Sequence, residues 1–104
     1  MSDYYDIDGT PLSTEEWAIR FEDRKNGDWW VVGREEIADW SISTVWLGAD
    51  HSFGTGPPLI FETMVFGPSP FDDYMQRYST WKEAEEGHAD VVDLVSSYPI
   101  YEAR

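Results

Sequence analysis

The chain has 104 residues, 41% of them hydrophobic and 16% aromatic, with 21 acidic side chains against seven basic ones for a net charge of −14. That length suits a single domain hiding roughly two-thirds of its unfolded surface, and the composition is too apolar and aromatic for a disordered segment. The charge argues against binding nucleic acid through its phosphates or docking on anionic lipid, and the lack of cysteine excludes disulfides, thiol nucleophiles, iron–sulfur clusters and Cys-ligated zinc.

The opening, MSDYYDIDGT, has neither the basic nor the apolar region of an export signal. The apolar stretches run four or five residues at most, far short of a bilayer span. A cytoplasmic protein is expected, one domain over 1–104 with an ordered core at about 4–98. No repeat or low-complexity linker interrupts it. Asp8-Gly9 reads as a tight turn. Leu12, Ser13, Glu16 and Trp17 then stand at N′, N-cap, N3 and N4, a capping box inside a hydrophobic staple. They predict a helix from about Ser13 to Asp23, with Trp17, Ala18 and Phe21 facing inward. Lys25-Asn26-Gly27-Asp28 reads as a turn.

The middle of the chain reads as β-structure. Trp29 to Val32 is a short aromatic and β-branched run. From Asp39 to Leu47 the chain alternates, with Trp40, Ile42, Thr44 and Trp46 on one face and Ser41, Ser43, Val45 and Leu47 on the other. Leu59 to Phe66 is apolar on both faces except at Glu62 and Thr63, the pattern of a central strand covered on both sides. Gly67-Pro68-Ser69-Pro70 ends it, and Met75 to Tyr78 is a candidate edge strand. Thr80 and Glu83 form a second capping box, opening a helix to about Ser96. On that helix Trp81, Ala84, His88, Val91, Val92 and Val95 share one side, while Glu83, Glu86, Asp90 and Asp93 share another. The expected fold is α+β: an antiparallel sheet of three to five strands with two helices packed on it in one layer pair.

Asp6-Ile7-Asp8-Gly9-Thr10 is similar to the opening motif of haloacid-dehalogenase phosphatases, in which the first Asp is the nucleophile, the second the general acid, and Mg²⁺ binds both. That chemistry needs the end of a buried parallel strand, and here only five residues precede Asp6 and no βαβ alternation follows. Read as a calcium loop, the segment puts Asp6, Asp8, Gly9 and Glu15 at loop positions 3, 5, 6 and 12. Tyr4 at position 1 and Pro11 at position 8 oppose it. The simpler reading is a turn, with Asp6 solvated and Glu15 complementing the positive end of its helix.

Asp50, His51 and Glu62 are the residue types for an acid/base or metal cluster, since His carries protons near neutral pH and a carboxylate fixes its tautomer. His88 could reach across to join them. The competing readings are that Asp50 and Ser52 cap a turn through backbone N–H groups and that His88 is a hydrogen-bonded core residue. The segment Asp50–Pro58 is longer than a hairpin needs, and Phe53 is its one large apolar side chain. No Ser-His-Asp spacing, P-loop, GxGxxG or HExxH occurs, so no catalytic residue, metal or cofactor is assigned.

Charge is the more informative feature. No Lys or Arg occurs from Glu35 to Gln76, a window holding seven acids, and the last helix adds Glu83, Glu86, Asp90 and Asp93. Such a field attracts basic surfaces. The bland reading is solubility; the bolder one is nucleic-acid mimicry.

The run STVWLGADHSFGTGPPLIFETMVFG (Ser43 to Gly67), with YYDIDGTPLSTEEW (Tyr4 to Trp17), RYST (Arg77 to Thr80) and EGH (Glu86 to His88), resembles a family of small acidic proteins encoded by phages of actinobacteria and by some actinobacterial chromosomes. The resemblance spans most of the chain. It implies a protein made inside a bacterial host, an accessory factor acting on a host protein, and it supplies no catalytic residues. The expectation is a non-enzymatic binder of a basic host-protein surface through Asp50, His51, Ser52, Phe53, Glu62, Glu83, Glu86, Asp90 and Asp93. A metal protein or enzyme using Asp50, His51, Glu62 and His88, a DNA mimic, and a homodimer stand as alternatives.

Overall fold

A computed structural model describes residues 3–52 and 54–98. The elements run β1 (Tyr4–Tyr5), β2 (Pro11–Leu12), α1 (Thr14–Glu22), a 3-10 turn (Asp23–Lys25), β3 (Val31–Ile37), β4 (Trp40–Trp46), β5 (Phe61–Phe66), β6 (Met75–Tyr78) and α2 (Trp81–Ser96). β1 and β2 form a small antiparallel ribbon, while β3-β4-β5-β6 form an antiparallel meander. Together with the two helices this is the expected α+β class. No helix among the described residues is long and apolar enough to cross a membrane.

Both capping boxes form. Ser13 Oγ accepts from the Glu16 N–H and Glu16 reaches back to the Ser13 N–H; Thr80 and Glu83 do the same for α2. The Asp8-Gly9 turn closes the β1–β2 ribbon, with Gly9 at φ +90°. In β4 the residues Trp40, Ile42, Thr44 and Trp46 are all buried and the intervening ones half-buried. α2 lies across all four strands of the meander on that buried face, burying Ala84, His88, Val91 and Val95. The core is two apolar clusters, Trp40/Ile42/Val65/Phe71/Val91/Val95 and Trp46/Ile60/Phe61/Tyr78/Ala84. Indole N–H groups tie outlying segments to them: Trp46 donates to the Tyr5 carbonyl, Trp17 to Leu47 and Trp40 to Pro68, at 3.1, 3.0 and 2.7 Å.

Four local expectations are corrected. α1 packs on the β1–β2 ribbon and buries no residue fully: Trp17 is half-buried, stacked on Tyr4 at 4.6 Å, while Ala18 and Phe21 are exposed. A short helix resting on a two-stranded ribbon has too little surface opposite it to cover more. Trp29 and Trp30 form a turn, and strand β3 runs from Val31 through the polar stretch to Ile37 because its pairing with β4 continues there. β5 is central, as expected, but covered on one side: Phe61, Thr63 and Val65 are buried, whereas Phe66 on the open face is half-exposed. Asp6 is paired with the Arg20 guanidinium at 2.9 Å rather than solvated.

Candidate functional site

The only polar side chain on the buried stripe of α2 is His88, and it is 9% exposed. Burial of an imidazole demands partners for both ring nitrogens. Nε2 meets the carboxylate of Glu35 on β3, and Nδ1 lies 2.6 Å from the hydroxyl of Thr44 on β4. Thr44 in turn is 2.5 Å from Thr63 on β5, which takes the hydroxyl of Tyr78 on β6 at 3.0 Å. The chain Glu35–His88–Thr44–Thr63–Tyr78 thus crosses the whole sheet under α2. It separates the two apolar clusters, for Thr44 lies between Ile42 and Trp46, and Thr63 between Phe61 and Val65.

An ionised carboxylate only accepts, so with neutral His88 one donor order satisfies every group. His88 Nε2–H donates to Glu35, Thr44 donates to His88 Nδ1, Thr63 donates to Thr44 and Tyr78 donates to Thr63. No buried side-chain nitrogen or oxygen among the described residues lacks a partner. Burial pushes the Tyr78 phenol above its ordinary range, against the Thr63 hydrogen bond; the nearby Tyr74 and Asp90 add to the rise. Two glycines make room for the row: a Cβ on Gly33 would fall 2.7 Å from the His88 ring, and one on Gly87 would fall 2.2 Å from the Tyr78 ring.

Tyr78 is also the floor of a surface cleft. Between β6 and the first half of α2 runs a groove of about 410 Å³ lined by Arg77, Tyr78, Ser79, Glu83, Glu86 and Asp90. A smaller cleft of about 170 Å³ continues it past Tyr74, Gln76 and Val91. Gly87 lines both. Of the acids on this wall, Glu83 is spent on the helix cap, accepting from the Ser79 and Thr80 N–H groups. Glu86 pairs with Lys82 at 2.6 Å in solvent. Asp90, and Asp93 a turn farther on, are exposed, and their carboxylates make no hydrogen bond or ion pair among the described residues.

The other residues singled out from the sequence do not join this site. Asp50 holds its own loop: its carboxylate accepts from the Ser52 N–H at 2.8 Å, the Ser52 hydroxyl at 3.0 Å and the Leu59 N–H at 2.9 Å. Burial raises its pKa, but these hydrogen bonds outweigh that and leave it below the ordinary carboxylate range. His51 is half-buried, its N–H given to the Leu59 carbonyl at 3.0 Å. Phe53 lies outside the described residues. Glu62 is on the opposite face of the sheet from His88, paired with Arg77 at 3.1 Å. Asp50, His51, Glu62 and His88 therefore do not converge, and no group of three or more metal-ligating side chains is positioned for an ion among the described residues. Asp6 and Asp8 belong to the hairpin, Asp6 bound to Arg20 and Asp8 accepting from the Thr10 N–H at 3.0 Å.

Four cations lie around α1 and the start of β3: Arg20, Lys25 and Arg34 pair there with Asp6, Glu22 and Asp28, and the Arg24 guanidinium is 4.3 Å from the Phe21 ring and 4.0 Å from Trp30. An open groove of about 480 Å³ beside them is lined by both signs of charge, Arg20 and Lys25 with Asp6, Glu22 and Asp23, around Ile19 and Trp29. The anionic wall of α2 lies on different elements.

Nothing local in the sequence marks Glu35, Thr44, Thr63, Tyr78 and Gly87 as site residues. The one available signal was a hydroxyl in the inward phase of two neighbouring strands, Thr44 among Trp40, Ile42 and Trp46, and Thr63 among apolar residues. No protein-family model, curated protein or solved structure matches the chain.

Proposed function

We propose that the chain is a non-enzymatic, phage-type accessory protein that binds a basic surface of a host protein in the bacterial cytoplasm, with the outer face of α2 as its main contact. The observation that carries this reading is the anionic wall of that helix. Asp90 and Asp93 are exposed and unpaired, Glu86 has only a solvent-screened partner, and most of the cations lie on other elements. Screened surface pairs contribute little, so these carboxylates keep their attraction for an approaching cationic surface, and a field of this kind raises association rates more than it raises affinity. The loop from Asp50 supports the same reading as a shaped element, because its carboxylate fixes the backbone and leaves a preorganised surface. The phage context rests on the sequence resemblance.

Capture from bacterial lysate tests the reading, comparing the native chain with a Glu86→Gln/Asp90→Asn/Asp93→Asn variant. The native chain is expected to retain a specific protein at low salt and release it at high salt, and the variant to retain none. Equal retention by the two would refute this face. Competition by DNA for the retained protein would assign nucleic-acid mimicry.

A further inference from the structure

We propose that the free edge of β6 and the groove between β6 and α2 take an extended segment of the partner as an added β-strand, one with Lys or Arg at alternate positions and apolar side chains between them. This deepens the reading of the chain as a binder of basic protein and rests on it.

β6 is the outer strand of the meander. The Tyr74 and Tyr78 carbonyls accept from Val65 and Ile60, so residues 74, 76 and 78 turn their backbone groups toward β5. By the alternation of an antiparallel ladder, Met75 and Arg77 point their N–H and C=O groups away from the sheet. Nothing among the described residues bonds to them. A bare edge of this kind is a template for strand addition.

The surroundings specify the strand that fits. Successive side chains of an added strand point to opposite faces of the sheet. One set would face α2, where Glu86 and Asp90 line the groove. The other set would face the open side, beside Met75 and Phe66, which are 43% and 52% exposed. Cationic residues suit the first set and apolar residues the second. The opposite edge is a poorer template: β3 carries a bulge between Val31 and Gly33 and exposed charges of both signs at Arg34, Glu35 and Glu36. A second copy pairing through β6 would bring two anionic α2 walls together, which like-charge repulsion opposes.

The probe is the synthetic peptide acetyl-Lys-Val-Lys-Val-Lys-Val-amide, titrated into the isotope-labelled chain at low salt and followed by amide shifts. Two further peptides carry the same charge, one N-methylated at every Lys and one at every Val. In an added strand only one of these frames points its N–H groups at β6. The expected result is shifts at the Met75, Gln76 and Arg77 amides, with one methylated frame weakened about tenfold or more and the other near the parent. Met75→Pro, which removes an outward N–H and leaves the ladder with β5 intact, should weaken the parent peptide similarly. The frame comparison uses the native chain and stands even where that variant fails to fold. Binding with equal affinity in both frames, with shifts confined to α2, would overturn strand addition and leave the basic-partner reading standing. No binding of any peptide would also overturn strand addition, and the lysate comparison would then judge the broader reading separately. Dimerisation of the free protein with shifts at β6 would overturn the proposal in favour of a second copy.

Discussion

Glu35 and His88 stand 53 residues apart in sequence, and the carboxylate of the first holds the Nε2–H of the second. That contact fixes which nitrogen of His88 carries the proton, and through it the orientation of three hydroxyls behind the ring. Removing one member leaves its neighbour buried and unmatched. Thr44→Val keeps the shape but strips His88 Nδ1 of its donor, since Thr44 is fully buried. The expected loss is about 1–3 kcal/mol in urea unfolding. Glu35→Gln keeps an acceptor oxygen in a half-exposed place and should cost less than Thr44→Val. Nitrogen shifts of the neutral His88 ring should report the Nε2–H tautomer. An Nδ1–H tautomer, or a neutral effect of Thr44→Val, would dismantle the donor order.

Gly87 provides a contrast between local and tertiary demands. Inside a helix, Gly→Ala ordinarily stabilises by about 1 kcal/mol. Here the new methyl would fall 2.2 Å from the Tyr78 ring, which is itself fixed by Thr63. Gly87→Ala is therefore expected to lower the melting temperature, by the equivalent of about 1–3 kcal/mol. Gly33→Ala should do the same through the His88 ring, 2.7 Å away. Gly56→Ala, with nothing within 4 Å, is the control and should change little. Stabilisation by Gly87→Ala would mean that α2 sits farther from β6 than described.

What could be read from the sequence was what neighbours in sequence decide. The capping boxes at Ser13/Glu16 and Thr80/Glu83, the Asp8-Gly9 turn and the alternation of β4 are local, and each formed. The inward face of α1 is not legible in this way, because Ala18 and Phe21 fit an apolar stripe that meets only a two-stranded ribbon. The second half of β3 was missed because Arg34, Glu35 and Glu36 have no strand pattern of their own and owe it to pairing with β4. The hydroxyl row was hidden for a similar reason. Thr44 and His88 are 44 residues apart, and nothing within either segment states that one answers the other.

Asp50 should confer a pH dependence of known sign. Its carboxyl titrates below the ordinary range in the folded chain because three hydrogen bonds favour the charged form over the cost of burial. A depressed folded pKa contributes stability that is present above the unfolded value, about 3.9, and is lost as pH falls through the folded value. Asp50→Asn removes that contribution. The native chain and the variant should therefore differ most near neutral pH and converge in acid. Urea midpoints across that range measure the difference, and parallel curves for the two proteins would remove Asp50 from this role.

The β3–β4 hairpin offers a stabilising change. Ile37 pairs with Trp40, so Ala38-Asp39 is a two-residue turn, and Ala38 adopts φ +53°. A left-handed conformation costs an L-residue with a Cβ roughly 1–2 kcal/mol. Asp39 is not at positive φ, so only the first turn position needs that conformation, the type II′ pattern that favours Gly there and tolerates Asn. Ala38→Gly relieves the clash but frees the unfolded chain. Ala38→Asn tolerates the conformation better than Ala without that entropic cost. Both variants are expected to be more stable than the native chain, by a few tenths to about 1 kcal/mol. Since the turn is exposed, the urea midpoint should rise with an unchanged slope. A fall in the midpoint for Asn would show that the strain is not at Ala38, and a changed slope would place the effect in the unfolded chain instead.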